Sequence, residues 1–156
     1  MSTYITKSGY TKLLKDLNFL VEVERKRMTE EIVIHNQENT SLEENGGLQV
    51  AIEESDRIEN RIRNINNILS DIVVVDTDEN KSFTKVKFGS ICRILDVDTD
   101  EEITYKIVGP YEASPEDLEI SYLSPFGNFL MGKEKDEEYN FSNGSFDKNI
   151  EILDIS

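Results

Sequence analysis

The chain has 156 residues, 37% of them hydrophobic and 31% charged, and its 17 basic and 32 acidic residues give a net charge of −15. That length suits one domain or two small ones, and the acidity argues against direct binding of duplex DNA, because Lys and Arg drive phosphate contact. A single cysteine, Cys92, and a single histidine, His35, exclude an intramolecular disulfide and a structural zinc site of Cys and His ligands.

From the N-terminus, MSTYITKSGYTKLLKDL is too polar for a secretory signal, and no apolar run is long enough to span a bilayer. A cytoplasmic protein without membrane contact is expected. Thr6-Lys7-Ser8-Gly9 predicts a helix start with Thr6 or Ser8 as N-cap. Tyr10, Leu13, Leu17, Leu20, Glu24, Met28, Ile32 and His35 then recur at steps of three or four, and Leu14 and Val21 widen the stripe. The same spacing returns at Leu48, Ala51, Ile52, Ser55, Ile58, Ile62, Ile65, Leu69 and Ile72. Two such stripes with a short connection predict an antiparallel hairpin with a coiled-coil-like seam. Its first helix, at about 30 residues, is roughly 45 Å long.

The connection, ENTSLEENGGL at 38–48, breaks the period and is expected to form the tip of the hairpin. Gly46 and Gly47 predict a helix break that loosens the backbone there. The apolar stripe thins after Val23, so the distal part is expected to project into solvent. His35 reads as a solvated helix residue. Arg25, Lys26, Arg27, Arg57, Arg61 and Arg63 are interleaved with glutamates. Surface ion pairs such as Glu53 with Arg57 are the expected use of these residues.

After Ile72 the period shortens. DIVVVD (71–76) reads as a strand or strand-like linker. KVKFGSICRILD (85–96) and EEITYKIVG (101–109) alternate and are joined by the turn VDTDE. EISYLS (119–124) and NIEILDIS (149–156) are further strand candidates, and SPFGNFLMGK (124–133) holds one short helix. Cys92, within SICRIL, reads as a buried, inert thiol. The fold class is therefore α+β: a hairpin over 1–75, then a small antiparallel-sheet domain over 76–156. Residues 1–75 carry 9 basic and 13 acidic side chains and residues 76–156 carry 8 and 19, so the sheet half holds most of the negative charge.

This order of parts, together with VKFGS (86–90), YKIVG (105–109), EAS (112–114) and ISYLSPFGNFLMGK (120–133), resembles the bacterial Gre transcript cleavage factors over nearly the whole chain. The resemblance implies an FKBP-like C-terminal domain that docks on RNA polymerase at the rim of its secondary channel, with Ser124, Pro125 and Phe126 in the docking region. It implies a coiled coil that reaches toward the polymerase active site and meets nascent RNA only as the 3′ end within that complex.

The family's tip reads Gly-Asp-Leu-x-Glu-Asn-Ala-Glu-Tyr. Here the matching residues are Thr40-Ser41-Leu42-Glu43-Glu44-Asn45-Gly46-Gly47-Leu48. Leu42, Glu44 and Asn45 are kept, but Ser41 replaces the family's Asp, and Gly46-Gly47-Leu48 replaces Ala-Glu-Tyr. The resemblance assigns Glu44, helped by Glu43 or Glu38, to a Mg²⁺ shared with the polymerase active site and not bound stably by the factor alone. Mg²⁺ is a hard, octahedral cation bound by carboxylates and water, and a two-metal site stabilises both attacking and leaving oxygens. A neutral serine hydroxyl at 41 removes one carboxylate from that set.

Two polymerase-linked functions compete, and a coiled-coil interaction protein unrelated to polymerase is a third alternative, against which the C-terminal motifs stand. In one, the factor stimulates the polymerase's own RNA cleavage. In the other, it occupies the channel as a non-cleaving regulator. The chain is not an enzyme alone: one histidine and one cysteine make Ser-His or Cys-His chemistry unpersuasive. Peptidyl-prolyl isomerase activity would rest on fold analogy alone, and no aromatic-lined pocket is evident in the sequence.

Overall fold

The computed structural model describes residues 2–37, 41 and 44–156. The chain forms two compact units. One contains Thr11–Asp71, and the other joins the residues up to Tyr10 with Ile72–Ser156. In sequence the division expected near residue 75 falls close to this, but the first residues belong with the sheet unit. They form β1 (Thr3–Thr6), which pairs in parallel with β2 (Ile72–Val75), from Thr3 opposite Ile72 to Thr6 opposite Val75.

The helical unit runs through α1 (Lys7–Phe19), a π-helical turn (Leu20–Glu24) and α2 (Arg25–Asn36), and continues in α3 (Gly46–Asp71). Thr6 is the N-cap of α1, since its Oγ1 accepts the Gly9 N–H at 3.1 Å. The π turn, in which Arg25 N–H reaches the Leu20 carbonyl, adds one residue to a turn and re-phases the stripe. Leu20, Met28, Ile58, Ile62 and Ile65 form the seam, with Leu13, Leu17, Val21 and Leu69 packed against it. In α2 only Met28 is buried, as the thinning stripe predicts.

Beside that short seam, Arg25 grips Glu59 of α3 through Nε–Oε1 at 2.6 Å and Nη2–Oε2 at 3.0 Å. Other basic side chains pair along their own helix: Lys26 with Glu22, and Arg27 with Glu24 and Glu31. Arg57 pairs with Glu54 at 3.2 Å, three residues back, in place of the expected Glu53.

The sheet unit contains β3 (Ile91–Asp96), β4 (Glu101–Val108), β5 (Glu119–Ser121), α4 (Pro125–Leu130), β6 (Glu138–Asn143) and β7 (Phe146–Ile155). Strand order is β5-β4-β3-β7-β6. The sheet is mixed, where an antiparallel one is expected, because β5 returns alongside β4 in parallel. The predicted strand over 85–96 is also shorter. Its first part bends away at Gly89, whose φ is +85° and whose Cα lies so close to Thr77 that a Cβ would meet Cγ2 at 2.2 Å. β6, with Tyr139 and Phe141 inward of a turn at Gly144, has no counterpart among the expected strands.

Val86, Cys92, Ile94, Ile107, Leu130, Ile150, Ile152 and Ile155 make the core of the sheet unit. Alternation along β3 sends Cys92, Ile94 and Asp96 inward. Burial pushes the Cys92 thiol up to about 12, so it is inert as expected.

Glu112 ties the N-terminal strand and the start of α1 to the sheet. Its carboxylate accepts the N–H of Thr6 at 2.8 Å, the N–H of Gly109 at 2.8 Å and the hydroxyl of Thr6 at 2.5 Å. Gly9 leaves the room for it, since a Cβ at that position would sit 1.9 Å from Glu112 Oε2. Glu112→Ala orphans these donors and is expected to cost about 1–3 kcal/mol, read as a lower urea midpoint at unchanged slope.

Asp96 accepts the N–H groups of Asp98 and Thr99 and pairs with Lys148 Nζ at 2.9 Å. The lysine hydrogen bond, together with the two amides, holds the Asp96 carboxyl below its usual range. Its contribution to stability is therefore present above about pH 4 and lost as pH falls through the lower folded value. Asp96→Asn keeps the turn acceptor without the charge, so melting temperature plotted against pH is expected to fall less steeply in acid than in the wild type.

Candidate functional site

The tip of the hairpin is built around Asn45. Its Oδ1 accepts the N–H of Leu48 at 3.0 Å, which makes Asn45 the N-cap of α3. Its Nδ2 donates to the carbonyl of His35 at 2.9 Å, near the end of α2. One side chain thus closes both helix ends and is buried in doing so. Before it, Ser41 turns the chain: its carbonyl accepts the N–H groups of Glu44 at 3.0 Å and Asn45 at 2.9 Å. Ser41 and Glu44 stand exposed on this turn.

Two expectations about the tip need correction. Gly46 and Gly47 do not break the helix, because they are its first two residues. His35 is half-buried rather than solvated, and its ring lies over Gly47, where a Cβ would be 2.6 Å from Cε1 and 2.9 Å from Nδ1. Its part in the tip is missed by reading periodicity alone. A signal was present: His35 and Gly47 each lie six residues from Ser41, so an antiparallel hairpin turning there sets them opposite one another.

Of the predicted site residues, Ser41, Glu44 and Asn45 come together in this turn. Leu42, Glu43 and Glu38 lie outside the described residues. Among the described residues no three acidic, His or Cys side chains converge as a metal site. Ser41 and Glu44 offer one carboxylate and one hydroxyl, a donor set that does not fit a resident Mg²⁺.

The second candidate surface is the turn before α4. Ser124 caps that helix: its Oγ accepts the Gly127 N–H at 3.1 Å and donates to the Ser121 carbonyl at 2.7 Å. Pro125 follows at the first helical position, where its missing N–H costs nothing. Phe126 turns inward, with its ring 5.6 Å from Tyr105 and 5.1 Å from Phe141. Pro125 and Leu123 are exposed, Leu123 by 60%.

Tyr105, Phe126 and Phe146 also line a cavity of about 100 Å³ with the Asp96–Lys148 pair at its wall. An aromatic-lined pocket is therefore present after all. It is well below the roughly 300–1,000 Å³ of typical ligand sites.

A model of the transcription elongation factor N-terminal domain matches residues 3–74, and one of the GreA/GreB C-terminal domain matches residues 72–156. The chain is 42% identical over 134 residues to transcription elongation factor GreA of Nautilia profundicola, covering 86% of this chain and 82% of that one. It is 36% identical over 151 residues to GreA of Helicobacter hepaticus, covering 97% and 91%. Among solved structures, GreA factor homolog 1 of Thermus thermophilus aligns over 100% of this chain and 99% of its own, at 24% identity and a TM-score of 0.45.

Asn45→Ala is expected to remove the cap and the link between the helices together, at about 1–2 kcal/mol. Faster exchange of the Leu48 amide, with the amides of Ile58 and Ile62 unchanged, is the observation that checks it.

Proposed function

The chain belongs to the GreA/GreB family of transcription elongation factors, and from that premise we propose that it binds bacterial RNA polymerase through residues 76–156. The hairpin enters the secondary channel and brings the Ser41–Asn45 turn to backtracked or paused complexes. The nascent RNA 3′ end is met there and nowhere else, and duplex DNA is not bound directly. The observation that carries this reading is the tip: Asn45 fixes a short exposed turn bearing Glu44 between two helix ends.

Support for docking through the 121–127 turn is its rigidity. Three hydrogen bonds hold Ser121 and Ser124 in place and present Pro125 and Leu123 outward. Phe126 contributes by packing beneath them.

A second reading, a non-cleaving occupant of the channel, is favoured by Ser41. With a hydroxyl there, only Glu44 is left of the family's acidic pair, and Mg²⁺ would have to be held mainly by the polymerase. Glu43 lies next to Glu44 in sequence and is the residue to which a compensating role falls.

The deciding experiment uses cognate polymerase halted in a backtracked complex with labelled RNA and Mg²⁺, with binding measured in parallel. Faster release of 3′ fragments makes the chain a cleavage-stimulating factor. Binding with no acceleration makes it a channel regulator, and no binding overturns the proposal. Ser41→Asp, which restores the second carboxylate, is expected to raise cleavage roughly tenfold or more without changing affinity.

A further inference from the structure

Gly46 and Gly47 look alike in sequence but differ in surroundings. Neither has the positive φ that demands glycine. Around Gly46 nothing lies within 4 Å of a built Cβ. At Gly47 the imidazole of His35 fills that space. The same histidine offers its carbonyl to Asn45 Nδ2, and Asn45 directly follows Glu44. One residue of α2 therefore touches the first turn of α3 twice, through its ring and through its backbone.

We infer that His35 is the positioning residue of the tip: its ring seats against Gly47 while its carbonyl holds Asn45, and together these contacts set where Ser41 and Glu44 stand. This follows from close packing. A ring in contact with a helical backbone admits no side chain between them, so the two helix ends meet at one fixed separation. The glycine at 47 serves close approach, since the His35 ring occupies the place a Cβ would take. The consequence for polymerase rests on the proposed function, whereas the geometry does not.

The sign of one substitution tests the geometry. At an ordinary helical position, Gly→Ala stabilises, because alanine loses less backbone freedom on folding. Gly46→Ala is expected to slow exchange of the Leu48 amide in the full-length protein. Gly47→Ala is expected to do the reverse, speeding that exchange roughly tenfold and shifting the side-chain amide resonances of Asn45. In a His35→Ala background the sign flips, and Gly47→Ala slows exchange as Gly46→Ala does. Unchanged protection at Ile58 and Ile62 shows that the hairpin stays folded in each variant. If Gly47→Ala protects Leu48 with His35 present, the ring does not set the tip and the inference is overturned.

With polymerase, His35→Ala is expected to keep affinity within about twofold while lowering the maximal effect on backtracked complexes roughly tenfold, a split that general destabilisation does not produce. Equal maximal effects of wild type and His35→Ala overturn the positioning role. If the wild type neither binds nor acts, the proposed function fails, and the exchange measurements still decide the geometry.

Discussion

One amide side chain joins the two helix ends at the tip. A helix leaves its first N–H groups and last carbonyls without partners, and a tight hairpin brings two such ends together. Asn45 carries both an acceptor and a donor, so it closes the start of α3 and the end of α2 at once. Serine or aspartate would cap the helix equally well, but aspartate has no donor and serine does not reach as far. This explains why asparagine suits the position. The hairpin's seam is short, with α2 burying little beyond Met28. Beside it the Arg25–Glu59 bridge adds a contact between the two helices.

A comparable device operates at the start of α1. Glu112 gathers donors from Thr6 and Gly109, and Gly9 makes room for it. In both places a polar side chain satisfies backbone groups from two segments, and a glycine allows the approach. Both glycines serve contact, and neither serves turn geometry. Gly89 differs: its positive φ bends the chain ahead of β3.

Much of the fold was legible in the sequence because its signals are local. The three-to-four spacing of leucines and isoleucines marked both long helices, and alternation marked β3 and β4. Residue type marked the short helix after Ser124 and narrowed the first N-cap to Thr6 or Ser8, of which the structure uses Thr6. What escaped depends on distant partners. TYIT at 3–6 is a strand only because IVVV at 72–75 lies beside it. Glu119–Ser121 runs parallel to β4 because the intervening loop crosses back, which no periodicity records. Of the tip, the turn was visible, but Asn45 stood out only as a residue the family keeps and not as a helix cap. The role of His35 was not visible, because it appears only once Ser41 is taken as the point of reversal. The replacement of an acidic residue by Ser41 was plain in the sequence, and the structure adds that the Ser41 carbonyl accepts the amides of Glu44 and Asn45.

The central claim is that this tip, with Ser41 at one of the family's two acidic positions, is carried to the RNA 3′ end inside polymerase. The most direct measurement tethers an iron chelate at the tip through Ser41→Cys and maps hydroxyl-radical cuts in a halted elongation complex. Cys92 is fully buried with its thiol pushed up to about 12, so labelling is confined to the new site. Cuts confined to the RNA 3′ end and to polymerase segments around its active site are the predicted result. Cuts only on the outer surface of polymerase, with binding intact, would contradict the account.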